Sequence, residues 1–162
     1  MRTLVIGLGN PILTDDGVGP RVAEAVRVAL PAGTSADVRE ASVGGLTLME
    51  DMLGYDRVIL IDAFQQSGGE PGTVLRLTLE DLRSMEPSEH TNSPHDLSLA
   101  RALELGSELG LPLPREIVVY AVQTTNVTDF GEEPTPAVAA AVHAVAAAVL
   151  AELAQEADVE HH

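Results

Sequence analysis

Arg57-Val58-Ile59-Leu60-Ile61-Asp62 sets four branched aliphatics in a row, with an arginine before them and a carboxylate after. A strand with one wet face alternates apolar and polar residues. An unbroken aliphatic run has to be covered on both faces, as in a parallel sheet held between helix layers. Thr3-Leu4-Val5-Ile6-Gly7-Leu8 repeats that character at the start of the chain. Weaker strands are expected over 36–41 and 116–122. Another is expected over 73–78, after the turn-rich Ser67-Gly68-Gly69-Glu70-Pro71-Gly72. Helical patterns fill the intervals at 18–30, 46–53, 97–109 and 136–154. Strands and helices in alternation predict an α/β fold: a single three-layer α/β/α sandwich with a mostly parallel twisted sheet flanked by helices. No repeat or long linker divides it, so residues 1–158 read as one domain. Val159-Glu160-His161-His162 looks like the start of a purification tag and is given no functional weight.

The 162 residues carry 25 acidic and 9 basic side chains, a formal charge of −16. All the cations are arginines. Such a surface has no electrostatic footing for nucleic acid or anionic lipid. There is no cysteine, so disulfides, thiolate metal sites and cysteine nucleophiles are excluded. Carboxylates, histidines and hydroxyls are what remains. The apolar N-terminal run is too short for a signal core or a span, and the alanine-rich 137–151 stretch reads as a soluble amphipathic helix. A cytoplasmic protein is expected.

In sheets of this kind ligands bind beyond the carboxyl ends of the strands. Three places there hold polar residues. Gly7-Leu8-Gly9-Asn10-Pro11-Ile12-Leu13-Thr14-Asp15-Asp16-Gly17-Val18-Gly19 is a poor dinucleotide fingerprint. Ile12 takes the place of the third glycine, and two aspartates stand where a pyrophosphate would lie. Asp15 or Asp16 also suits a cap of the following helix, with the other facing the cleft. Asp62, ending a buried aliphatic run, needs a partner or an opening onto a cleft. Ser93-Pro94-His95-Asp96-Leu97 reads as N-cap, first helical residue and capping acid, with His95 in the first turn. His90 competes with it from a loop, and His143 reads as a surface or packing residue. Asp16, Asp62 and His95 come from separate strand–helix connections and should converge on one sheet edge. Two carboxylates and an imidazole suit a borderline divalent metal with open positions. No His-Glu-x-x-His helix and no nucleophile elbow is present, which argues against a common zinc protease and a serine hydrolase.

With these motifs the chain resembles the hydrogenase maturation endopeptidases, over roughly residues 1–154. The resemblance rests on Gly7-x-Gly9-Asn10-x-x-Leu13-x-Asp15-Asp16-Gly17-Val18-Gly19, then Ile61-Asp62-Ala63, Pro71-Gly72-Thr73 and Ser93-Pro94-His95-x-Leu97. It implies an endopeptidase that removes the C-terminal extension of the [NiFe] hydrogenase large-subunit precursor after nickel insertion. Asp16, Asp62 and His95 would be the nickel-recognition site, with the metal carried in by the substrate and other divalent ions able to substitute. Asp16 and Asp62 would also be the candidate catalytic carboxylates, and the protein would act as a monomer. Two stretches depart from the family pattern: Glu40-Ala41-Ser42-Val43-Gly44-Gly45, and the segment from Gln123 to Gly131. Two other readings stand beside this one. A nickel-checking chaperone would bind the precursor without cutting it. A peptidyl-tRNA hydrolase shares Gly7-Leu8-Gly9-Asn10-Pro11, but the chain lacks that family's Thr-Arg-His-Asn element and a basic face for tRNA.

Overall fold

The computed structural model describes residues 1–10, 15–42, 44–65, 68–84, 94–124 and 134–160. Along these the elements run β1 (Thr3–Leu8), α1 (Val18–Ala29), β2 (Ala36–Ala41), α2 (Gly45–Met52) and β3 (Arg57–Phe64). Then follow β4 (Val74–Thr78), α3 (Leu79–Ser84), α4 (Pro94–Glu108), β5 (Glu116–Gln123) and α5 (Pro136–Glu160). The five strands form one sheet in the order β2-β1-β3-β5-β4. The first four are mutually parallel, and β4 pairs antiparallel with β5 at the edge. The aliphatic run that opened the sequence reading lies in β3, at the centre of the sheet and buried along its whole length. Edge strand β2, with polar residues at alternate positions, is only half covered.

The two-residue period of the strands sorts their side chains into two layers. Leu4, Ile6, Leu8, Val58, Leu60, Phe64 and Val119 form a core with Leu48, Met49 and Met52 of α2 and Leu99 and Leu103 of α4. Val5, Ile59, Ile61, Val118 and Val122 face the other way, onto Val18, Val22 and Val26 of α1 and Val138, Val145, Val149 and Leu153 of α5. This is the expected three-layer sandwich. The stretch Pro136–Asp158 is long and apolar enough to cross a bilayer by composition, with a mean hydropathy of 2.0. Here its valines and Leu153 are buried against the sheet.

Three boundaries depart from the apolar pattern read in the sequence. Helix α5 continues through Val159 and Glu160, and α4 starts at Pro94, where the proline signal put it, three residues before the apolar pattern begins. Helix α3 was not anticipated. It is set off by a reciprocal capping pair: the Asp81 amide donates to Thr78 Oγ1 at 3.2 Å, and the Thr78 amide to Asp81 Oδ2 at 2.8 Å.

The amino-terminal edge of the sheet is tied by charge. Arg57, at the start of β3 and 7% exposed, meets Glu152 at 3.0 Å and Glu156 at 3.5 Å, both on α5. Its Nε faces Glu116 Oε2 at 3.3 Å, off the hydrogen-bond line. Arg76 and the Tyr120 hydroxyl also donate to Glu152, and Thr3 donates to Glu156. Burial pushes the Glu152 carboxyl up, but the hydrogen bonds from Arg76 and Tyr120 and the charges of Arg76 and Arg57 outweigh it and hold the group below its ordinary value.

Candidate active site

The carboxyl ends of β1 and β3 lie side by side, with Gly7 paired to Ile61. Helix α1 comes down directly onto both. A Cβ on Gly19 would stand 2.3 Å from the Leu8 carbonyl oxygen and 2.7 Å from that of Ile61. One on Gly7 would stand 2.2 Å from the Gly19 oxygen. The glycine spacing therefore serves close helix–strand approach. At Gly9 the backbone has φ +149°, and a Cβ would meet the Asp16 carbonyl oxygen at 2.0 Å. The Gly9 amide donates to the Ala41 carbonyl at 2.9 Å, so the end of β2 is drawn to the same edge.

These contacts fix where the aspartates go. Half-buried Asp16 receives the Asn10 amide on Oδ2 at 2.8 Å. Asp15 is fully buried, and its carboxylate reaches the far end of the chain. Oδ1 accepts the Thr135 amide at 2.9 Å, and the Thr135 hydroxyl lies 3.1 Å from both oxygens. The expected aspartate cap of α1 is thereby corrected. Its N-cap is Gly17, with no side-chain capping bond, and the first turn contains no acid. Asp15 reaches across the chain to Thr135, and Asp16 turns back to Asn10 within its own connection.

Asp62 is 1% exposed and sits one residue past the Gly7–Ile61 pair. Its Oδ1 accepts the Ala63 amide at 2.8 Å. Strand alternation puts it on the face shared by Leu60 and Phe64, the side covered by α2 and α4. His95 is the second residue of α4, whose first position is Pro94, as the proline signal predicted. The His95 side chain, together with His90 and Ser93, lies outside the described residues. His143 is exposed on α5. Among the described residues no three His, Asp or Glu side chains group as a metal site.

Two residues at the same edge went unassigned in the sequence. Gln123 and Thr124 close β5, buried to 2% and 1% exposure. The Thr124 amide donates to the Phe64 carbonyl at 2.9 Å, locking the ends of β3 and β5 together. The Gln123 backbone clamps Gly72 and Thr73, and a Cβ on Gly69 would meet its side-chain oxygen at 2.5 Å. Polar residues directly after an aliphatic run were the available signal, the same one that marks Asp62.

Comparison with known proteins adds the chemistry. The profile of the hydrogenase maturation protease family matches residues 14–152. The chain belongs to the hydrogenase maturation protease family. It is 35% identical over 105 residues to the hydrogenase 2 maturation protease of Escherichia coli K12, a match covering 64% of this chain and 62% of that protein. The chain thus spans less than two thirds of that relative's length. It is 30% identical to the hydrogenase expression/formation protein HupM of Azotobacter chroococcum, over 92% of this chain and 71% of that one. Among solved structures, the hydrogenase maturating endopeptidase HybD from E. coli superposes with a TM-score of 0.77 at 28% identity, covering 96% of this chain and 94% of that one. This maturation-protease fold is the sandwich read from the sequence, with Asp16 and Asp62 at the carboxyl edge of its sheet.

Proposed function

We propose that this chain is an endopeptidase that removes the C-terminal extension of a [NiFe] hydrogenase large-subunit precursor after nickel insertion, acting as a monomer in the cytoplasm. Membership in the maturation protease family carries the reading. Asp62 near the end of β3, and Asp16 in the connection that follows the neighbouring strand β1, support it.

The substrate arrives with its metal. Asp16, Asp62 and His95 meet that nickel through its unfilled positions, and another divalent ion of similar size can stand in for it. Two carboxylates brought together repel without a cation. Docking therefore gains from a loaded precursor and not from an empty one, and the bound metal fixes the scissile peptide in the cleft. Bond cleavage has two routes compatible with these residues. In one, the substrate's metal polarises the carbonyl or the attacking water. In the other, Asp16 and Asp62 share one proton, the ionised member taking a proton from water and the protonated member giving one to the leaving amine.

Purified protein mixed with nickel-loaded and nickel-free precursor, followed by mass spectrometry, tests this. Release of a C-terminal fragment from the loaded form alone is the expected result. Equal cleavage of both removes nickel recognition, and binding without a fragment identifies a nickel-checking chaperone instead. Asp16→Asn and Asp62→Asn, assayed separately for binding and cleavage, divide the two routes: retained nickel-dependent binding with no cleavage marks a carboxylate that handles protons.

A further inference from the structure

Asp16 is the middle of a tripeptide pinned at both ends. On one side Asp15 is buried and grips Thr135 through three contacts of 2.9–3.1 Å. On the other, the Gly17 carbonyl accepts the Arg21 amide at 3.1 Å inside the first turn of α1. The Asp15 carbonyl itself accepts the Val18 amide at 3.2 Å. Thr135 is no arbitrary anchor. It immediately precedes α5, and its carbonyl receives the Ala139 amide at 2.8 Å, the first helical bond of that element. The Asp15 side chain therefore bolts the loop after β1 to the start of the last helix, 120 residues away.

A fully buried carboxylate needs several donors to offset its lost hydration. A cap on α1 would use the local amides; these three bonds instead reach a distant helix, from one residue before the candidate site. We propose that Asp15 and Thr135 are positioning residues whose clasp holds Asp16 in its working orientation, so that the start of α5 belongs to the site. The proposal rests on the reading of Asp16 as a site residue for its effect on cleavage, but its geometric core does not.

The test uses Asp15→Asn, Thr135→Val and Thr135→Ser in the full chain, with two readouts. The Asn10 amide, bonded to the Asp16 carboxylate, reports the orientation of that side chain by hydrogen exchange. Thr135→Val keeps the backbone donor and the branch but loses the hydroxyl. It should lower Asn10 protection by about tenfold while amides of β3 and β5 stay within about threefold of wild type. On nickel-loaded precursor, Thr135→Val and Asp15→Asn should lower kcat by about tenfold or more with KM within about threefold. Thr135→Ser should restore both readouts. Unchanged Asn10 protection in Thr135→Val, or an even loss of protection across the sheet, overturns the clasp. So does Thr135→Ser behaving like Thr135→Val. A wild-type protein that leaves the precursor uncut sinks the proteolytic reading, while the Asn10 measurement still decides the clasp.

Discussion

The Ala63 amide, bonded to Asp62 Oδ1 inside the protein, lets stability and chemistry be separated at this position. Asp62→Asn retains an acceptor there and should change unfolding stability by under about 1 kcal/mol, whereas Asp62→Ala strands a buried donor and should cost about 1–3 kcal/mol. Urea titrations of the two variants check this. An Asn variant that is stable yet inactive then speaks about metal contact or protons rather than folding. Asp62 was legible because a carboxylate directly after four buried aliphatics needs a partner or an opening onto a cleft, although an aspartate there also suits the start of a turn. Asp15 was not, since Asp-Asp-Gly ahead of a helix is also what a local cap looks like, and its actual partner is remote in sequence. Gln123 and Thr124 carried the same strand-end signal as Asp62. They were passed over because uncharged polar residues often end a strand without further meaning.

Helix α1 is held where it is by what Gly19 lacks. Gly19→Ala would put a methyl carbon against two backbone oxygens that cannot swing aside. The helix must lift from β1 and β3, at a cost of about 1–3 kcal/mol. Because Asp16 directly precedes the N-cap of that helix, cleavage of the loaded precursor should fall further than the loss of folded protein explains. Calorimetry beside single-turnover assays measures both. β1, β3 and β5 were legible because burial on two faces leaves an unbroken aliphatic trace, the four longer helices from their period, and edge strands β2 and β4 from weaker runs set off by turns. The six-residue α3 is shorter than the window over which helical periodicity can be counted, and only Thr78-x-x-Asp81 announced it. The glycines of the first loop invited a nucleotide reading because small residues serve a close phosphate and a close helix equally well.

Over the whole molecule, candidate chemistry and ionic fastening sit at opposite ends of the sheet, with α5 joining them. Arg57→Leu leaves Glu152 and Glu156 short of their buried cation and should cost about 3 kcal/mol. The Asp16 edge should stay intact, as its amide shifts can verify. Stability should also depend on pH at both extremes. Glu152 is held below its ordinary value in the fold, so its contribution is complete above about pH 4.3, the unfolded carboxylate value, and disappears as pH falls through the lower folded one. Tyr55 is pushed up by donating its hydroxyl to Asp37 and by burial, and Tyr120 by burial and its bond to Glu152. Their contributions hold below about pH 10 and vanish as pH climbs through the raised folded values. Melting temperature against pH should trace both limbs, and Arg57→Leu should flatten the acid one. The same two tyrosines dominate the chain's ultraviolet emission, since tryptophan is absent. Each donates a hydroxyl hydrogen bond to a carboxylate, an arrangement that quenches ultraviolet emission. Intrinsic fluorescence should therefore be dim in the native protein and brighten on denaturation, giving an optical record of unfolding from probes hydrogen-bonded to Asp37 and Glu152 rather than to Asp16 or Asp62.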